Sequence, residues 1–358
     1  MKKIILILTG FLLVYSGIAQ TFQVAGKIVD QVSKQPLTGA SVFCQNTTLG
    51  TVTNASGEFT MWLNNGGYDL VISFTGYETQ SIRISNSMEN VKAMNFELKQ
   101  KEKSLEEVSI QVSNEVKDGW NKYGKFFIDN FIGMSVNSTS CKIENPEAIK
   151  FFFSKKRNRL KITAKEDVII TNNALGYKIR YQLDSFTHEY GSGVTQYTGY
   201  PFFEELQGSA DQAAAWKVNR EKAYYGSLLH FMRCYYDSTL GDNSYKIELV
   251  DAKTNKTKPV YNPYDSSYFN IVNENDIELA FPGKLRIVYA QEKPEKEYLS
   301  FQKLDLNTTV QVSLLDLSDP IVIEENGYFY EQKDIISLGY WGWEKIADFL
   351  PYNYEPQD

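Results

Sequence analysis

The sequence predicts a mainly β protein, with an N-terminal antiparallel β-sandwich followed by an α+β domain that contains one long helix. Three observations support this prediction. Short runs of alternating apolar and polar residues recur between Val24 and Phe96, Gly, Pro and Asn clusters separate them, and an apolar stripe at helical spacing covers about 210–236. The predicted domains are residues 20–100 and 115–358, with a linker at 101–114.

The clearest strand of the sandwich runs from Tyr68 to Phe74, where large apolar residues at even positions alternate with Asp69, Val71 and Ser73. Short strands with frequent turns are typical of a sandwich, because one apolar face of each strand then points to a common core. Turn-forming residues, rich in Gly, Pro and Asn, separate the runs at 35–39, 54–57, 64–67 and 75–76.

Several short motifs follow one another in this region. They read G-x-I-x-D, P-L-x-G-A-x-V, G-x-x-T-N-x-x-G-x-F and G-Y, and their residues are Gly26, Ile28, Asp30, Pro36, Leu37, Gly39, Ala40, Val42, Gly50, Thr53, Asn54, Gly57, Phe59, Gly76 and Tyr77. At these positions the sequence resembles the carboxypeptidase-like regulatory domain, a transthyretin-like β-sandwich family. The resemblance implies a non-catalytic module, often found at the mature N-terminus of Gram-negative cell-envelope proteins that include TonB-dependent receptors.

The first 19 residues are typical of a secretory signal peptide. Lys2 and Lys3 precede an apolar core, and small residues lead to Ala19, after which we expect cleavage. The apolar stretch is too short to favour a membrane-spanning helix, and we expect no transmembrane segment after cleavage. The protein is therefore predicted to be exported, to the periplasm or the outer membrane.

Removal of this segment takes the formal net charge from −7 to −9, because it carries two lysines and no acid. An acidic exported protein is a poor candidate for binding nucleic acid. The three cysteines are too few for a disulfide framework. Cys44 shares the strand phase of Val42 and is predicted to be a buried thiol, whereas a bridge between Cys141 and Cys234 is an open alternative.

The second domain begins with an amphipathic helix predicted between Val116 and Phe131. A series of strand-like runs follows, and one of them is predicted from Tyr298 to Leu304. The strongest helical pattern lies near the middle of the domain, where the large residues of one face recur at three- and four-residue intervals. These residues are Trp216, Arg220, Tyr224, Leu228, Phe231 and Tyr235.

No catalytic, metal-binding or cofactor-binding residue is predicted. A zinc peptidase site needs two histidines and a carboxylate at suitable spacing, and His188 and His230, the two histidines of the chain, lack that spacing. Ser227 and His230 share a stripe of the predicted long helix with Arg220 nearby, and they form the alternative site, as a nucleophile and its base. The expectation we favour is structural: Ser227 bonds to its own helix backbone, and Arg220 stacks between Trp216 and Tyr224.

Aromatic clusters are the favoured candidate binding surface, because aromatic side chains give a large rigid contact area to sugars and proteins. The competing interpretation is that most of them form the core of a β-rich domain. The residues of this candidate surface are Tyr197, Tyr200, Phe202, Tyr328, Tyr330, Trp341 and Trp343.

These observations predict a non-enzymatic exported binding or assembly module of the bacterial cell envelope, whose partner is an envelope protein or glycan. The alternative is a hydrolase that acts on glycan or peptide through a site in the second domain, for which Asp184, Glu204 and Glu205 are candidate carboxylates. A deep pocket with convergent acids would favour the hydrolase, and an open sheet edge would favour binding.

Overall fold

The computed structural model describes residues 21–89, 91–101, 114–330 and 335–356. The predicted signal peptide and almost all of the predicted linker lie outside the described residues. The architecture is mainly β, as the sequence predicts, and consists of five sheets and several helices.

Two sheets form the N-terminal sandwich, and their inward residues build one core that includes Val24, Ile28, Phe59, Leu70 and Phe96. One sheet has the order β4-β1-β7 and the other the order β3-β2-β5-β6. The strands are β1 (Thr21–Asp30), β2 (Ser41–Cys44), β3 (Gly50–Val52), β4 (Glu58–Asn64), β5 (Gly67–Ser73), β6 (Gln80–Ser85) and β7 (Met94–Leu98).

The motif residues of the sandwich have identifiable structural roles. The Thr53 hydroxyl donates to the Leu37 carbonyl and accepts from the Ala40 amide, so it ties two motifs together. Asp30 accepts hydrogen bonds from the Ser33 amide and from the Tyr77 hydroxyl at 2.8 Å, which links the first motif to the last. These hydrogen bonds hold the pKa of Asp30 well below its usual range.

The second domain begins with a six-stranded antiparallel sheet of order β8-β11-β12-β10-β9, with β13 paired along β12. Helix α1 (Gly119–Phe131) covers this sheet and buries Phe127 and Phe131 against Phe186 and Tyr181, as its amphipathic pattern predicts. The strands are β8 (Cys141–Ile143), β9 (Ile149–Ser154), β10 (Arg159–Ala164), β11 (Val168–Asn172), β12 (Tyr177–Glu189) and β13 (Val194–Glu205).

Two further sheets enclose a second core with Phe231 and Tyr235 in it. Their orders are β15-β14-β18-β19-β21 and β16-β17-β20. The strands are β14 (Tyr245–Val250), β15 (Thr257–Val260), β16 (Phe269–Ile271), β17 (Asp276–Leu279), β18 (Lys284–Tyr289), β19 (Gln311–Leu317), β20 (Ile321–Glu324) and β21 (Ile335–Gly339).

The helices correct two predictions. The predicted long helix is in fact two helices, α2 (Ala210–Tyr224) and α3 (Leu228–Tyr236). The run from Tyr298 to Leu304, predicted as a strand, is mostly helix α4 (Lys296–Gln302). Adjacent Tyr298 and Leu299 both belong to one cluster with Tyr340 and Trp343, whereas successive side chains of a strand point to opposite faces. A single helical turn, α5 (Tyr340–Trp343), follows β21.

The sandwich and the second domain meet at a domain interface formed by residues 43–48, 66–71 and 83 on one side and 200–203, 324–330 and 352–353 on the other. Its apolar part contains Phe43, Val71 and Phe202. Backbone hydrogen bonds cross it, from the Asn46 amide to the Pro201 carbonyl at 2.7 Å and from the Phe203 amide to the Thr47 carbonyl at 2.9 Å.

The C-terminal segment, residues 344–356, lies across the second domain and reaches the sandwich. The Tyr352 amide donates to the Asn46 carbonyl at 2.7 Å, and the Asn353 side chain donates to the Thr48 hydroxyl at 2.6 Å. Buried Arg233 of α3 holds the segment, because its guanidinium donates to the carbonyls of Tyr352 and Tyr354.

All three cysteines are free thiols, so Cys141 and Cys234 do not form a bridge. Cys44 is fully buried, as predicted, and burial raises the pKa of its thiol far above the usual range. Burial also raises the pKa of Cys234 to about 11 and that of Cys141 to about 12. None of the three is therefore a thiolate near neutral pH.

Candidate functional site

The predicted Ser227 and His230 pair lies at the break between α2 and α3. Gly226 has a φ of 87°, a conformation that ends α2 and favours glycine. Ser227 is the N-cap of α3: its hydroxyl accepts from the His230 amide at 3.1 Å and donates to the Tyr224 carbonyl at 2.6 Å. The serine thus lies at a helix end and not within one long helix, and its hydroxyl proton is already donated to the Tyr224 carbonyl.

The His230 ring is buried and surrounded by aromatic side chains that include Tyr224 and Tyr289. Its Nδ1 lies 3.2 Å from the Gly226 amide, which donates to it, and 3.0 Å from the Tyr245 hydroxyl. Burial lowers the pKa of His230 to about 4, so the ring is neutral near neutral pH. The ring orders the break between the helices, and no contact joins it to the Ser227 hydroxyl as a base would require.

Arg220, the third residue of the alternative site, does not stack between Trp216 and Tyr224. Its guanidinium lies 3.9 Å from the centre of the Tyr177 ring. It also donates to the Leu175 carbonyl at 2.7 Å and pairs with Glu205 at 3.0 Å. These contacts fasten α2 to the turn before β12, so Arg220 has a structural role.

Replacing Ser227 by alanine should cost about 1 kcal/mol of unfolding free energy, more than a mid-helix hydroxyl would, because an N-cap bond is lost. Chemical denaturation of the two proteins measures this difference. Ser227→Thr keeps the capping oxygen and should recover most of the loss. Equal stability of the alanine variant and the original protein would contradict the capping role.

The predicted aromatic surface is mostly interior. Phe202 packs edge-on against Phe43 in the domain interface, and Trp341 donates from its indole nitrogen to the Gly226 carbonyl at 2.7 Å. Tyr328 and Trp343 are also buried. The prediction is therefore wrong for these four residues, because aromatic clusters in this chain fill its cores. Tyr197, Tyr200 and Tyr330 are half-buried, and their role in binding stays a prediction.

The hydrolase carboxylates do not converge in the structure. Glu205 pairs with Arg220, Glu204 lies near Lys178 and Arg180, and Asp184 is exposed and accepts from Thr198. Each is thus bound to its own partner on the sheet surface, and the three do not form one catalytic group.

A different group of carboxylates lines a cavity of about 100 Å³ in the second domain. Glu295 accepts from the Val136 amide and from the Trp343 indole, and Asp348 accepts from Ser135 and Asn137. Burial raises the pKa of Asp348 to about 6 and raises the pKa of Glu292 and Glu344. Lys222 is the cation in the lining.

Burial favours the protonated forms of these carboxyl groups, but the volume of the cavity is below the ~300–1,000 Å³ of most small-molecule sites. Sequence reasoning missed it because its members come from distant segments. Its local signals were two pairs of acids, Glu292 with Glu295 and Glu344 with Asp348, and such spacings between acids are common.

Trp62 is a large exposed aromatic residue that lies outside the predicted aromatic clusters. It lies in the middle of β4, is 61% exposed, and points away from the sandwich core that contains Met61 and Leu63. β4 forms one edge of its sheet, and its paired neighbour there is β1. The sequence could have revealed the exposure of Trp62 through the alternation along β4. Phe59, Met61 and Leu63 lie on one face of the strand, and Trp62 lies on the opposite face.

In residues 21–89, 91–101, 114–330 and 335–356, no group of three or more His, Cys, Asp and Glu side chains is arranged to hold a metal ion. Within the same ranges, none of the helices combines the length and the apolarity that a membrane crossing requires.

Comparison with known proteins identifies the N-terminal unit. Residues 24–110 match the family model of the CarboxypepD_reg-like domain. The TonB-dependent receptor SusC of Bacteroides thetaiotaomicron is 31% identical over 116 residues, which are 32% of this chain and 11% of the receptor. The match therefore spans about a tenth of that relative's length.

Two crystal structures show a weaker likeness. A DUF3823 family protein from Bacteroides ovatus has 10% sequence identity and a TM-score of 0.17, with 52% of this chain and 82% of that chain covered. A Bacteroides fragilis protein of unknown function has 12% identity and a TM-score of 0.18, with 89% and 95% covered. Scores at this level carry no conclusion about fold or function.

Proposed function

We propose that this chain, which has a CarboxypepD_reg-like domain at residues 24–110, is a non-enzymatic exported module of the cell envelope that binds another envelope protein. The SusC match supports the envelope location, because that relative is a TonB-dependent receptor. The predicted signal peptide supports export.

The observation that carries the binding role is Trp62 on the edge strand β4. Tryptophan anchors are enriched among the residues that dominate protein interfaces. An edge strand also presents a row of backbone donors and acceptors to which a partner strand can add. Trp62 and the free side of β4 together offer an apolar anchor beside a hydrogen-bonding edge.

A protein partner is favoured over a glycan for the same reason. The spacing of donors and acceptors along β4 matches that of another extended chain, whereas a sugar ring has no such repeat. The outward residues beside Trp62 on β4, Glu58 and Thr60, are exposed and polar, and they form the kind of rim that surrounds an anchor in protein interfaces.

The test begins in cells that express the full chain with its native N-terminus. A photo-reactive side chain is placed at Thr60, next to the anchor, or at Val32, which is 89% exposed elsewhere on the sandwich. We expect a cross-linked envelope protein from position 60 and not from position 32. Equal cross-linking at both positions would contradict the assignment of β4.

The cross-linked partner is then purified, and its affinity for the chain is measured. Trp62→Ala should raise Kd by about 30-fold or more, the effect of losing an anchor worth about 2 kcal/mol. Val32→Ala should leave Kd unchanged, and both variants should keep the melting temperature, because exposed substitutions rarely alter stability. If Trp62→Ala binds the protein partner with unchanged affinity, the proposal is refuted. If that variant instead loses binding to purified envelope polysaccharide, the ligand is a glycan.

The hydrolase alternative now rests on the carboxylate cavity, where raised pKa values give protonated acids of the kind that general acid catalysis uses. A panel of glycan, ester and peptide substrates tests it with the purified chain and with Glu344→Gln. Activity that this substitution abolishes without a change in melting temperature would replace the binding proposal with the hydrolase.

A further inference from the structure

A buried carboxylate of the second domain pairs with an arginine of the sandwich across the domain interface. Glu324, at the end of β20, is 1% exposed, and its Oε1 forms an ion pair with Arg83 of β6. The Tyr330 hydroxyl donates to the same oxygen at 2.5 Å. The second oxygen, Oε2, is buried and has no hydrogen-bond partner among the residues described. One half of this carboxylate is thus left without compensation for its burial.

The sandwich backbone closes over this group. Gly67, at the start of β5, lies so near to Glu324 that a Cβ added there would overlap the carboxylate oxygens. The Asn326 side chain donates to the Gly67 carbonyl at 3.0 Å and fixes this contact. The docked sandwich therefore helps to keep the Glu324 carboxylate out of water.

Negative charges outnumber positive charges around Glu324. Asp69 of β5 lies near Arg83 on the sandwich side, and Asp276 of β17 lies beside Glu324 on the other side. One guanidinium thus faces three carboxyl groups, and ionisation of all three would leave an excess of negative charge in a poorly hydrated place. The other titratable groups that face Glu324 are the phenols of Tyr68, Tyr236 and Tyr330.

We propose that Arg83, Glu324 and Tyr330 form a proton latch between the two domains, in which a proton on Glu324 strengthens docking of the sandwich and its loss weakens docking. The proposal concerns the interface alone and does not depend on the proposed binding function. Its basis is the burial of Glu324 at the contact with one carboxylate oxygen lacking a described hydrogen bond, and the excess of carboxyl groups over guanidinium groups around it.

The direction of the pH effect follows from the docked and undocked states. Burial raises the pKa of Glu324 to about 7, with Asp276 acting in the same direction and Arg83 opposing it. In the undocked state the carboxyl is hydrated and titrates near the ordinary ~4.3 of glutamate. The docked state therefore binds more protons between these two values, and docking weakens as pH rises through this window. Burial raises the pKa of the Tyr68 and Tyr236 phenols, so these two groups do not titrate in this window.

The experiment follows hydrogen exchange of the full chain at three amides that cross the interface, those of Asn46, Phe203 and Tyr352. Rates are corrected for the intrinsic pH dependence of exchange. Protection should fall on the order of 50-fold between pH 5 and pH 8 as one proton is lost. Glu324→Gln cannot ionise and should leave protection nearly constant over this range. Glu97→Gln removes an exposed carboxylate of the sandwich and should keep the original dependence.

A second variant covers the case in which Glu324→Gln fails to fold. Arg83→Met keeps the bulk of the side chain but removes the charge that favours ionised Glu324, so the midpoint of the pH dependence should move to higher pH. The latch is refuted by constant protection in the original protein, by an unchanged dependence in Glu324→Gln, or by a midpoint in Arg83→Met that stays in place or moves to lower pH.

Discussion

Replacing Phe231 by alanine should lower the unfolding free energy by about 3–5 kcal/mol, the typical cost of emptying a buried aromatic site. Phe231 is fully buried in α3, and its ring meets those of Tyr245 at 5.4 Å and Trp341 at 5.2 Å. These rings come from three separate segments, so little local movement can fill the cavity. Denaturant titration of the full chain measures the loss, which is a large part of the ~5–15 kcal/mol that holds a typical domain.

Phe301→Ala is the matched control for this measurement. It removes the same number of atoms, but Phe301 is 58% exposed and has one described ring contact, with Trp343. Its loss should cost less than about 1 kcal/mol. Equal losses from the two variants would show that α3 does not organise the second domain.

Arg233→Ala is expected to have an effect of similar size, about 3 kcal/mol or more. The guanidinium is buried and donates to the Asn326, Tyr352 and Tyr354 carbonyls at 3.1, 2.8 and 2.9 Å. Its removal leaves these acceptors unsatisfied, at a cost of ~1–3 kcal/mol for each one that water cannot reach. The ion pair with Glu355 adds little, because that carboxylate is 76% exposed. Denaturant titration again gives the loss, and exchange at the Tyr352 amide should rise with it.

Two substitutions give this prediction its controls. Arg233→Lys keeps the charge but not the planar fork of donors, so it should recover only part of the stability. Arg159→Ala removes an arginine whose pair with Glu189 is partly exposed, and it should cost less than about 1 kcal/mol. If Arg233→Ala is as stable as Arg159→Ala, the C-terminal segment is held by other contacts.

The sandwich could be predicted from the sequence because its signals are local. Strand alternation and turn residues each depend on a few neighbouring positions. The hydrogen bonds of Thr53 and Asp30 then join residues of different sequence motifs in the folded sandwich. The helical face from Trp216 to Tyr235 was also recognisable, and its aromatic residues Trp216, Tyr224, Phe231 and Tyr235 are buried. The break within it was missed, because Tyr224 and Leu228 keep four-residue spacing across a glycine C-terminus and a serine cap.

The site predictions were less successful for a physical reason. An aromatic cluster has the same sequence signature whether it faces solvent or a core, and burial depends on which distant sheet covers it. Phe202 is covered by the sandwich and Trp341 by α3, and neither contact has a local signal. The carboxylate cavity and the pairing of Arg83 with Glu324 were missed for the same reason, because their residues are far apart in the chain.

The contact between Thr48 and Asn353 has a consequence for the order of folding. These residues are 305 positions apart, so the bond between them closes a loop that contains nearly the whole protein. Contacts of such high contact order form late, after the chain entropy of the intervening segments has been lost to their own structure. The sandwich can begin to form when its own residues emerge, but its contacts with Tyr352 and Asn353 must await the synthesis of those residues, and a chain truncated before Tyr352 cannot complete that step.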